Sequence, residues 1–546
     1  MNIAAIATAP GTGGIAVIRL SGPDAFTITD RIFRARNRNK TVSTAEAYTM
    51  LFGNIVDEIT DNRVQSTDNQ THSSFLIPHS SFLIDEVVVA VFRAPHSFTG
   101  ENTVEISCHG SVYIQQEILR LLIAAGARMA GPGEFTQRAF LNGRLDLSQA
   151  EAVADLINAQ SAAAHTIALN QMRGNFSSKL EELRRQLLHF VSLLELELDF
   201  GDHDDLEFAD RTELNTVAEA IRSQLSRLQQ TFSQGNAIKN GIPVAIVGET
   251  NAGKSTLLNL LVGDNRAIVS DIHGTTRDVI EDTVNINGLT FRFIDTAGIR
   301  QTSDIIENLG IERTYEMIER AQIILWVVDS TNVTEHIEWL AERIMRRTEG
   351  KRLIILLNKI DRLNDEELTT LRQWFEPYCP QCRDARLVRP SEKSVKSDER
   401  LLAQQESESK NKEITSVQSV SSVRDKNNSV KEKEISEKNT TPQILEISAK
   451  KSINTTQLTQ LLYESAQMPD LSAGDIIISN LRHYEALTHA LDSIDRVIEG
   501  LQTNIPADFV AQDIREALFH LAEITGGEIT TDEVLGNIFA HFCIGK

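Results

Sequence analysis

The sequence predicts a multidomain chain of α/β and α parts: an N-terminal α+β domain, a helical domain, and a nucleotide-binding domain with a mostly parallel sheet. A glycine-rich phosphate-loop pattern at residues 248–255 lies between a β-branched run, Ile242–Val247, and a helical run, Thr256–Val262. Helical periodicity occurs on both sides of that region, whereas strand patterns fill most of the first 144 residues. We therefore expect the nucleotide-binding domain to be inserted into the helical domain.

Length and composition bound the class of protein. The 546 residues predict three or four domains, and the hydrophobic fraction of 41% and charged fraction of 24% are typical of soluble globular proteins. No apolar run approaches the roughly 20 residues that a membrane span needs, and no signal peptide is evident, so we expect a cytoplasmic protein without membrane contact. The net charge of −22 opposes non-specific binding to nucleic acid. An RNA partner must therefore meet a local basic patch or a second protein.

Residues 1–144 form the predicted N-terminal domain. The basic run from Arg31 to Lys40 is either a solvated helix end or an RNA-binding patch, and the first is favoured because charge runs usually face solvent. A duplicated His-Ser-Ser-Phe-Leu-Ile within residues 58–84 predicts a longer hairpin loop. The strand patterns are Ile3–Ala7, Gly14–Ser21, Asp85–Phe92 and Asn102–Cys108, and the helix pattern is Val112–Ala125.

The helical domain is predicted in two parts, residues 145–238 and 469–546. Ser148 and Glu151 are expected to form a capping box at the start of its first helix, because a serine followed three residues later by a glutamate satisfies unpaired amides there. Helical patterns then continue with gaps to about Phe200, and recur over Glu213–Phe232, Ile477–Glu499, Ala507–Ile524 and Asp532–Phe539.

Residues 248–255, Gly-Glu-Thr-Asn-Ala-Gly-Lys-Ser, fit the phosphate-loop pattern in full. Gly248 and Gly253 permit the backbone path that turns amides toward an anion, and the helix behind them adds positive potential. Lys254 is expected to reach the β- and γ-phosphates and Ser255 to ligate Mg²⁺. A chance glycine-rich turn is the alternative, but the flanking strand and helix patterns argue against it.

Three further motifs, each at the end of a predicted strand, indicate which nucleotide binds. In Asn358-Lys359-Ile360-Asp361, the Asp361 carboxylate can accept two hydrogen bonds from guanine, whereas adenine offers an acceptor in that place. Ser448-Ala449-Lys450 resembles a loop that supports the base. In Asp295-Thr296-Ala297-Gly298, the aspartate would hold Mg²⁺ through water and the glycine would sense the γ-phosphate. In this order, the motifs predict a guanine-nucleotide site.

The nucleotide-binding domain is predicted to span residues 239–468, with an insertion at 383–440. The insertion is rich in Lys, Glu, Ser and Asn and nearly free of aromatic residues, which predicts disorder. Cys379 and Cys382 form one CxxC pair at its edge. Without a second pair nearby, chance spacing is favoured over structural zinc. The four cysteines of the chain are scattered and predict no disulfide framework.

Two positions bear on hydrolysis. Ras-like enzymes place a water-orienting glutamine where this sequence has Ile299, so hydrolysis is either slow or catalysed from elsewhere. Asn251 either stabilises the phosphate loop or supplies a carbonyl oxygen to a monovalent cation beside the phosphates. A cation there would do the electrostatic work of an arginine finger.

Two stretches outside these motifs resemble a single protein family. They are residues 132–151, Pro-Gly-Glu-Phe-Thr-Gln-Arg-Ala-Phe-Leu-Asn-Gly-Arg-Leu-Asp-Leu-Ser-Gln-Ala-Glu, and the terminal Cys543-Ile544-Gly545-Lys546. Together with the nucleotide motifs they are similar to the MnmE (TrmE) family of bacterial and organellar tRNA-modification GTPases. The resemblance covers nearly the whole chain, apart from about residues 58–84 and 383–440.

The resemblance implies an N-terminal domain that binds folate and forms a homodimer, a helical domain, and an inserted Ras-like P-loop GTPase activated by K⁺. It also implies an FAD-dependent partner of the MnmG (GidA) type, joined in a heterotetramer, and tRNA as substrate. With that partner, the family installs an aminomethyl or carboxymethylaminomethyl group at carbon 5 of the wobble uridine of certain tRNAs. The one-carbon unit comes from 5-formyl- or methylene-tetrahydrofolate.

The same resemblance assigns residues to the sites. The folate contacts are Arg19, Glu105, Arg144 and Lys546, in which the cations suit folate carboxylates and the glutamate suits pterin N–H groups. The K⁺ ligands are Asn251, Ser270, Ile272 and Thr275, and the Mg²⁺ ligands are Ser255 and Thr276.

The catalytic candidates are Lys254, Glu307 and Cys543. Glu307 matches a general base that acts through water, and Cys543 matches a cysteine that is either a nucleophile on uridine or merely exposed. The full set expected to contact GTP is Asn251, Ala252, Gly253, Lys254, Ser255, Thr256, Ser270, Asp271, Ile272, His273, Gly274, Thr275, Thr276, Asp295, Thr296, Ala297, Gly298, Asn358, Lys359, Asp361, Ser448, Ala449 and Lys450.

Two other classes of function stay open. A ribosome-assembly GTPase switch would usually carry an RNA-binding domain with a basic surface, which is not evident, and it would leave residues 132–151 unexplained. A membrane-remodelling GTPase needs an apolar or polybasic membrane contact, which the sequence does not offer. A GTPase acting in tRNA modification is therefore the favoured function.

Overall fold

The computed structural model divides the chain into two compact units. One comprises Met1–Lys239 and Leu471–Lys546, and the other comprises Asn240–Asp470. In the part of the chain that is described, no helix is long and apolar enough to cross a membrane. The described residues are 1–57, 82–200, 211–264, 282–294, 315–332, 341, 343–348, 350–375, 442–466, 476–503, 505–527, 535, 538–540, 542 and 545, without the side chains of 196–200, 211, 213 and 264.

Several sequence predictions concern residues outside this set. Among single positions, Ile299, Glu307, Cys543 and Lys546 lie outside it. The stretches that lie outside are 58–81 within the duplicated region, 270–276, 295–298, 379–382, the insertion 383–440, and 532–534 at the start of the last predicted helix.

The N-terminal part folds around one sheet, as the predicted α+β domain requires. Its strands are β1 (Ile3–Ile6), β2 (Ile15–Ser21), β3 (Phe33–Ala35), β4 (Thr49–Asp57), β5 (Phe82–Phe92), β6 (Thr103–His109) and β7 (Arg128–Met129), and its helices are α1 (Ala25–Ile32), α2 (Val112–Ala124) and α3 (Glu134–Leu141). The strand order is β3-β4-β5-β6-β2-β1-β7, antiparallel throughout except between β1 and β7. In β2, Ile18 and Leu20 are buried in the core, so Arg19 faces the other side of the sheet.

Five helices follow: α4 (Leu147–Asn158), α5 (Ala162–Met172), α6 (Asn175–Phe200), α7 (Arg211–Gln230) and α8 (Phe232–Asn240). The predicted capping box of Ser148 and Glu151 is wrong. The Asp146 carboxylate accepts from the Gln149 amide at 2.9 Å, and the Gln149 side chain accepts from the Asp146 amide at 3.0 Å. Asp146 is the better cap because it stands one residue before α4, which leaves Glu151 inside the helix and buried.

The second unit contains the nucleotide motifs. Its elements are β8 (Ile242–Val247), α9 (Lys254–Asp264), β9 (Asp282–Ile286), β10 (Leu289–Phe293), β11 (Ile323–Asp329), β12 (Arg352–Asn358), α10 (Asp365–Phe375), β13 (Gln443–Glu446) and α11 (Thr455–Ser465). The strand order is β13-β12-β11-β8-β10-β9, and β9–β10 is the one antiparallel pair among these described strands. The other carboxyl ends therefore meet at one edge, where open parallel sheets bind ligands.

Two long helices of the first unit follow the second unit in the chain: α12 (Leu481–Gln502) and α13 (Ala507–Thr525). They pack with α6 and α7 around a shared core that includes Leu187, Ile221, Leu487 and Ile514. The helix predicted from Ile477 begins four residues later, because the Asn480 side chain caps it by accepting from the Arg482 amide at 3.0 Å.

Candidate functional site

The phosphate loop joins β8 to α9 through three residues with positive φ. These are Gly248 (146°), Asn251 (63°) and Gly253 (101°). A Cβ atom at Gly248 would clash with the carbonyl oxygen of Val327, and one at Gly253 would clash with the side-chain amide of Asn358. Both positions therefore require glycine, for conformation and for close approach. A loop of this kind before a helix N-terminus is the arrangement that binds phosphate.

Lys254 closes the loop on itself. Its Nζ donates to the carbonyl oxygens of Gly248 and Glu249, each at 2.7 Å. Burial lowers the pKa of Lys254, and the charge of Glu249 offsets this only in part. A partly desolvated ammonium group in a phosphate loop is stabilised by anionic oxygens, so its charge suits the β- and γ-phosphates of a nucleotide.

Asn358 connects the phosphate loop to residues 448–450, here called the base-side loop. Its side-chain nitrogen donates to the Ala252 carbonyl at 2.7 Å, and its side-chain oxygen accepts from the Ala449 amide at 3.0 Å. The residue is buried, and its own carbonyl accepts from the Ser330 amide at 3.0 Å. One side chain thus fixes the register of two motifs that lie far apart in sequence.

Asp361 lies shortly after β12 and is held by Ser448 of the base-side loop. The Ser448 hydroxyl donates to Asp361 Oδ1 at 2.6 Å, and Lys451 Nζ lies 3.6 Å from Oδ2. The hydrogen bond from Ser448 outweighs desolvation and lowers the pKa of Asp361, with a further contribution from Lys451. The carboxylate therefore stays ionised, as an acceptor for two N–H groups must. Lys450, the lysine of the predicted motif, is exposed.

Sequence reasoning missed Asp329 at the end of β11. Lys359 has φ 67° and donates to Asp329 Oδ2 at 2.5 Å, while Thr331 donates to Oδ1 from its amide at 3.1 Å and its hydroxyl at 2.7 Å. Burial raises the pKa of Asp329, but the hydrogen bonds from Lys359 and Thr331 outweigh it and lower the pKa. Asp329 therefore anchors Lys359. In the sequence, the one sign of this role was the position of Asp329, an acidic residue at the carboxyl end of a buried strand.

The donor groups of the loop suit the expected cations. Ser255 lies in the first turn of α9, and a hydroxyl oxygen is a ligand type that Mg²⁺ accepts. Among the described residues, no group of three or more His, Cys, Asp or Glu side chains is arranged to hold a metal ion. Of the four expected K⁺ ligands, Asn251 is the described one, and its side chain is exposed.

A second polar site lies on the N-terminal sheet. Arg19 and Glu105 face each other across β2 and β6, with Nε and Nη2 of the arginine 2.9 Å and 2.7 Å from Glu105 Oε1. The guanidinium lies over the rings of Phe98 and Phe135, with centroids 5.5 Å and 5.6 Å away. Two of the four residues expected to contact folate, Arg19 and Glu105, thus form an ion pair beside two aromatic rings.

The end of the chain reaches the same site. Arg19 Nη1 donates to the Gly545 carbonyl at 3.2 Å, and a Cβ at Gly545 would clash with the carbonyl of Ile6. Gly545 has φ 96°, so both conformation and space require glycine. Arg144, the third described folate candidate, packs against Gly100 in the loop that precedes β6.

Comparison with known proteins decides the family. One family model, the MnmE helical domain, matches residues 147–543, and a second, the GTP-binding protein TrmE N-terminus, matches residues 2–144. The chain is also 51% identical to the tRNA modification GTPase MnmE of Parabacteroides distasonis, over 100% of both chains. The chain belongs to the MnmE family.

Other MnmE proteins are similar over the same span. Identity is 49% to the tRNA modification GTPase MnmE of Bacteroides fragilis and 42% to that of Flavobacterium johnsoniae, covering 100% of this chain and 99% of each relative. Among solved structures, a complex of Era with MgGDPNP and part of 16S ribosomal RNA is 22% identical, with a TM-score of 0.25, over 46% of this chain and 65% of that one. The assignment to the MnmE family rests on the full-length relatives and the two family models.

Proposed function

We propose that this MnmE-family GTPase is the K⁺-activated, GTP-hydrolysing subunit of a complex that modifies carbon 5 of the wobble uridine in certain tRNAs. The product carries an aminomethyl or carboxymethylaminomethyl group, whose one-carbon unit comes from 5-formyl- or methylene-tetrahydrofolate. The observation that carries the folate part is the Arg19–Glu105 ion pair, against which the Gly545 carbonyl also lies.

The geometry of that pair supports a division of roles. Nε and Nη2 of Arg19 both contact Oε1 of Glu105, and these contacts hold the carboxylate in one orientation. In that orientation the carboxylate would accept hydrogen bonds from N–H groups of a ligand. A flat pterin ring suits a site bordered by Phe98 and Phe135. Arg144 and Lys546 would supply the positive charge that the glutamate carboxylates of folate need.

In the GTPase unit, Asp361 selects guanine, while Lys254 and the loop amides hold the phosphates. Mg²⁺, when bound at Ser255 and Thr276, would neutralise charge that develops on the phosphate oxygens. Glu307 is proposed to orient the attacking water, because the position of the usual glutamine is taken by Ile299. Cys543 is not required by this proposal.

We further propose that the protein acts as a homodimer through the outer face of the N-terminal sheet. That face exposes Met50, Phe52 and Val88, and the register places Met50 and Ala90 in the same cross-strand row as Glu105 and Arg19. A second copy of this chain would cover the apolar residues and adjoin the folate site. An FAD-dependent MnmG-type protein, in a cytoplasmic heterotetramer, is the proposed partner.

Nucleoside analysis of tRNA tests the proposal. Total tRNA is compared from cells with the gene, cells without it, and cells complemented with Glu105→Gln. We expect the modified wobble uridine to disappear with the gene and to stay absent with the variant, while GTP hydrolysis by the purified variant is retained. Unchanged wobble uridines in the deletion strain would contradict the proposal, and ribosome-assembly defects in that strain would then favour the ribosomal alternative.

A further inference from the structure

The helix α4 carries two acidic residues that contact both chain segments leading to and from the nucleotide-binding unit. Asp155 Oδ1 lies 2.8 Å from Nζ of Lys239, the residue that precedes the first residue of that unit. One turn earlier, Glu151 contacts Arg482 and His483, which begin α12 shortly after the chain returns. Glu151 and Asp155 are four residues apart and so share one face of the helix.

The Glu151 carboxylate is buried and contacts two basic side chains. Arg482 donates from Nε to Oε1 at 2.8 Å and from Nη2 to Oε2 at 3.0 Å, and His483 Nε2 lies 2.7 Å from Oε2. Arg482 also donates to the carbonyls of Glu523 and Ile524 at the end of α13, at 2.6 Å and 3.0 Å. His483 is 1% exposed. Removing Glu151 would leave Arg482 and His483 without the carboxylate that they share, so this contact resists separation.

The outgoing and returning segments also contact each other. Gly235 of α8 approaches the Ile478 carbonyl so closely that a Cβ there would clash, and the Ile478 amide donates to the Thr231 hydroxyl at 3.0 Å. The rings of Phe232 and Tyr484 stack with centroids 4.5 Å apart. The two segments therefore pack against each other. Helix α4 contacts this packed pair of segments at two residues, Glu151 and Asp155.

The opposite end of α4 leads to the proposed folate site. The capping residue Asp146 follows Arg144 by two positions, and the 12 residues of α4 make a rigid rod about 18 Å long. Resting on the function proposed above, we propose that Glu151 and Asp155 are positioning residues, through which a nucleotide-dependent movement of the inserted unit is transmitted along α4 to the segment that contains Arg144.

The first test is hydrogen–deuterium exchange of the full chain with GDP and with GDP–aluminium fluoride, both in K⁺ and Mg²⁺. We expect amides of residues 143–150 to change exchange rate between the two states, and Asp155→Asn to reduce that change at least threefold. Exchange of the phosphate loop should respond to nucleotide as before, and GTP hydrolysis without partner should stay within twofold of wild type, because Asp155 lies outside the nucleotide site.

Matched variants separate transmission from simple loss of stability. Asp495→Asn removes an exposed ion pair to Arg222 that also joins two helices of this unit, and it should leave the exchange difference intact. The charge-swapped pair Asp155→Lys with Lys239→Asp should restore the difference. Lys239→Met replaces Asp155→Asn if that variant does not fold, since Lys239 is partly exposed.

A second readout uses 5-formyltetrahydrofolate as the probe. Its affinity for wild type should differ between the two nucleotide states, and in Asp155→Asn the ratio of the two affinities should approach one. Wild-type exchange at residues 143–150 that ignores the nucleotide state, or a difference that survives both Asp155→Asn and Lys239→Met, would overturn the inference. Absence of folate binding in every state would instead contradict the proposed function, and the exchange measurement would still decide the inference.

Discussion

Asn358 is the residue at which the phosphate loop and the base-side loop meet. Asn358→Ala would leave the Ala252 carbonyl and the Ala449 amide without their buried partner, at a cost of about 1–3 kcal/mol each. We expect the affinity for GTP to fall at least tenfold, measured by calorimetric titration. Asn332→Ala, at an exposed position after β11, is the control and should bind GTP normally. Normal binding by Asn358→Ala would show that the bridge does not support the site.

Asn251 allows a test of the proposed K⁺ site. Its φ of 63° disfavours most side chains, so Asn251→Gly keeps this backbone conformation accessible while it removes the side chain that carries the carbonyl oxygen. We expect wild-type hydrolysis to rise several-fold when K⁺ replaces Na⁺, and the variant to lose this advantage while still binding GTP. Steady-state phosphate release in matched salts measures both rates. Equal wild-type rates in the two salts would remove the reason for assigning K⁺.

At the scale of elements, the Glu151 carboxylate joins α4 to α12, and its protonation state changes with pH. Burial would raise the pKa of Glu151, but the charge and hydrogen bond of His483, followed by those of Arg482, hold it at about 2, below its usual value of 4.5. The ionised form therefore stabilises the folded state above pH 4.5, and this contribution is lost as the pH falls from 4.5 toward 2.

Glu151→Gln should therefore cost most near neutral pH. Breaking a buried ion pair typically costs about 3–5 kcal/mol, so we expect a loss of about 3 kcal/mol at pH 7 that shrinks as the pH approaches 3. Urea unfolding followed by circular dichroism at several pH values measures it. Asp495→Asn, in an exposed pair, should cost under about 1 kcal/mol. A cost for Glu151→Gln that does not depend on pH would contradict the ionised carboxylate.

Elements with strong local signals were predictable from the sequence. The prediction for β8, Ile242–Val247, matches the structure at both ends. A short apolar β-branched run bounded by glycine is typical of a buried strand, so its limits can be read from the sequence. The start of α4 was placed wrongly because Asp146 and Ser148 are both good caps, and only the folded chain shows which one accepts the Gln149 amide.

Ion pairs between residues far apart in the sequence could not be predicted from local sequence patterns. Glu151 and Arg482 are 331 residues apart, so no local pattern connects them, and a buried glutamate looks like any helical acid in a sequence of 76 acidic residues. Asp329 was missed for the same reason, since its partner Lys359 belongs to the next strand end. The motifs identify the chemistry of the nucleotide site, whereas the residues that hold those motifs in place emerge only from packing.

For the whole molecule, the apolar face of the N-terminal sheet predicts self-association. Phe52 is 42% exposed and Met50 is 75% exposed on that face. A charge buried in such an interface has no partner, so Phe52→Asp should convert the dimer to a monomer in light scattering at micromolar concentration. Phe509→Asp changes a phenylalanine on α13 that is 65% exposed and should leave the dimer intact. A wild-type monomer, or a dimer that survives Phe52→Asp, would contradict the proposed interface.

Guanine recognition by Asp361 is tested most directly by calorimetric titration of wild type and Asp361→Asn with GTP, ATP and xanthosine triphosphate in Mg²⁺. Wild type should bind GTP and neither of the others. The variant should bind GTP at least tenfold more weakly and gain xanthosine triphosphate, because its amide donates to the extra carbonyl of xanthine. Wild-type protein that ignores GTP, or a variant that keeps the wild-type order of preference, would contradict the assignment of this site.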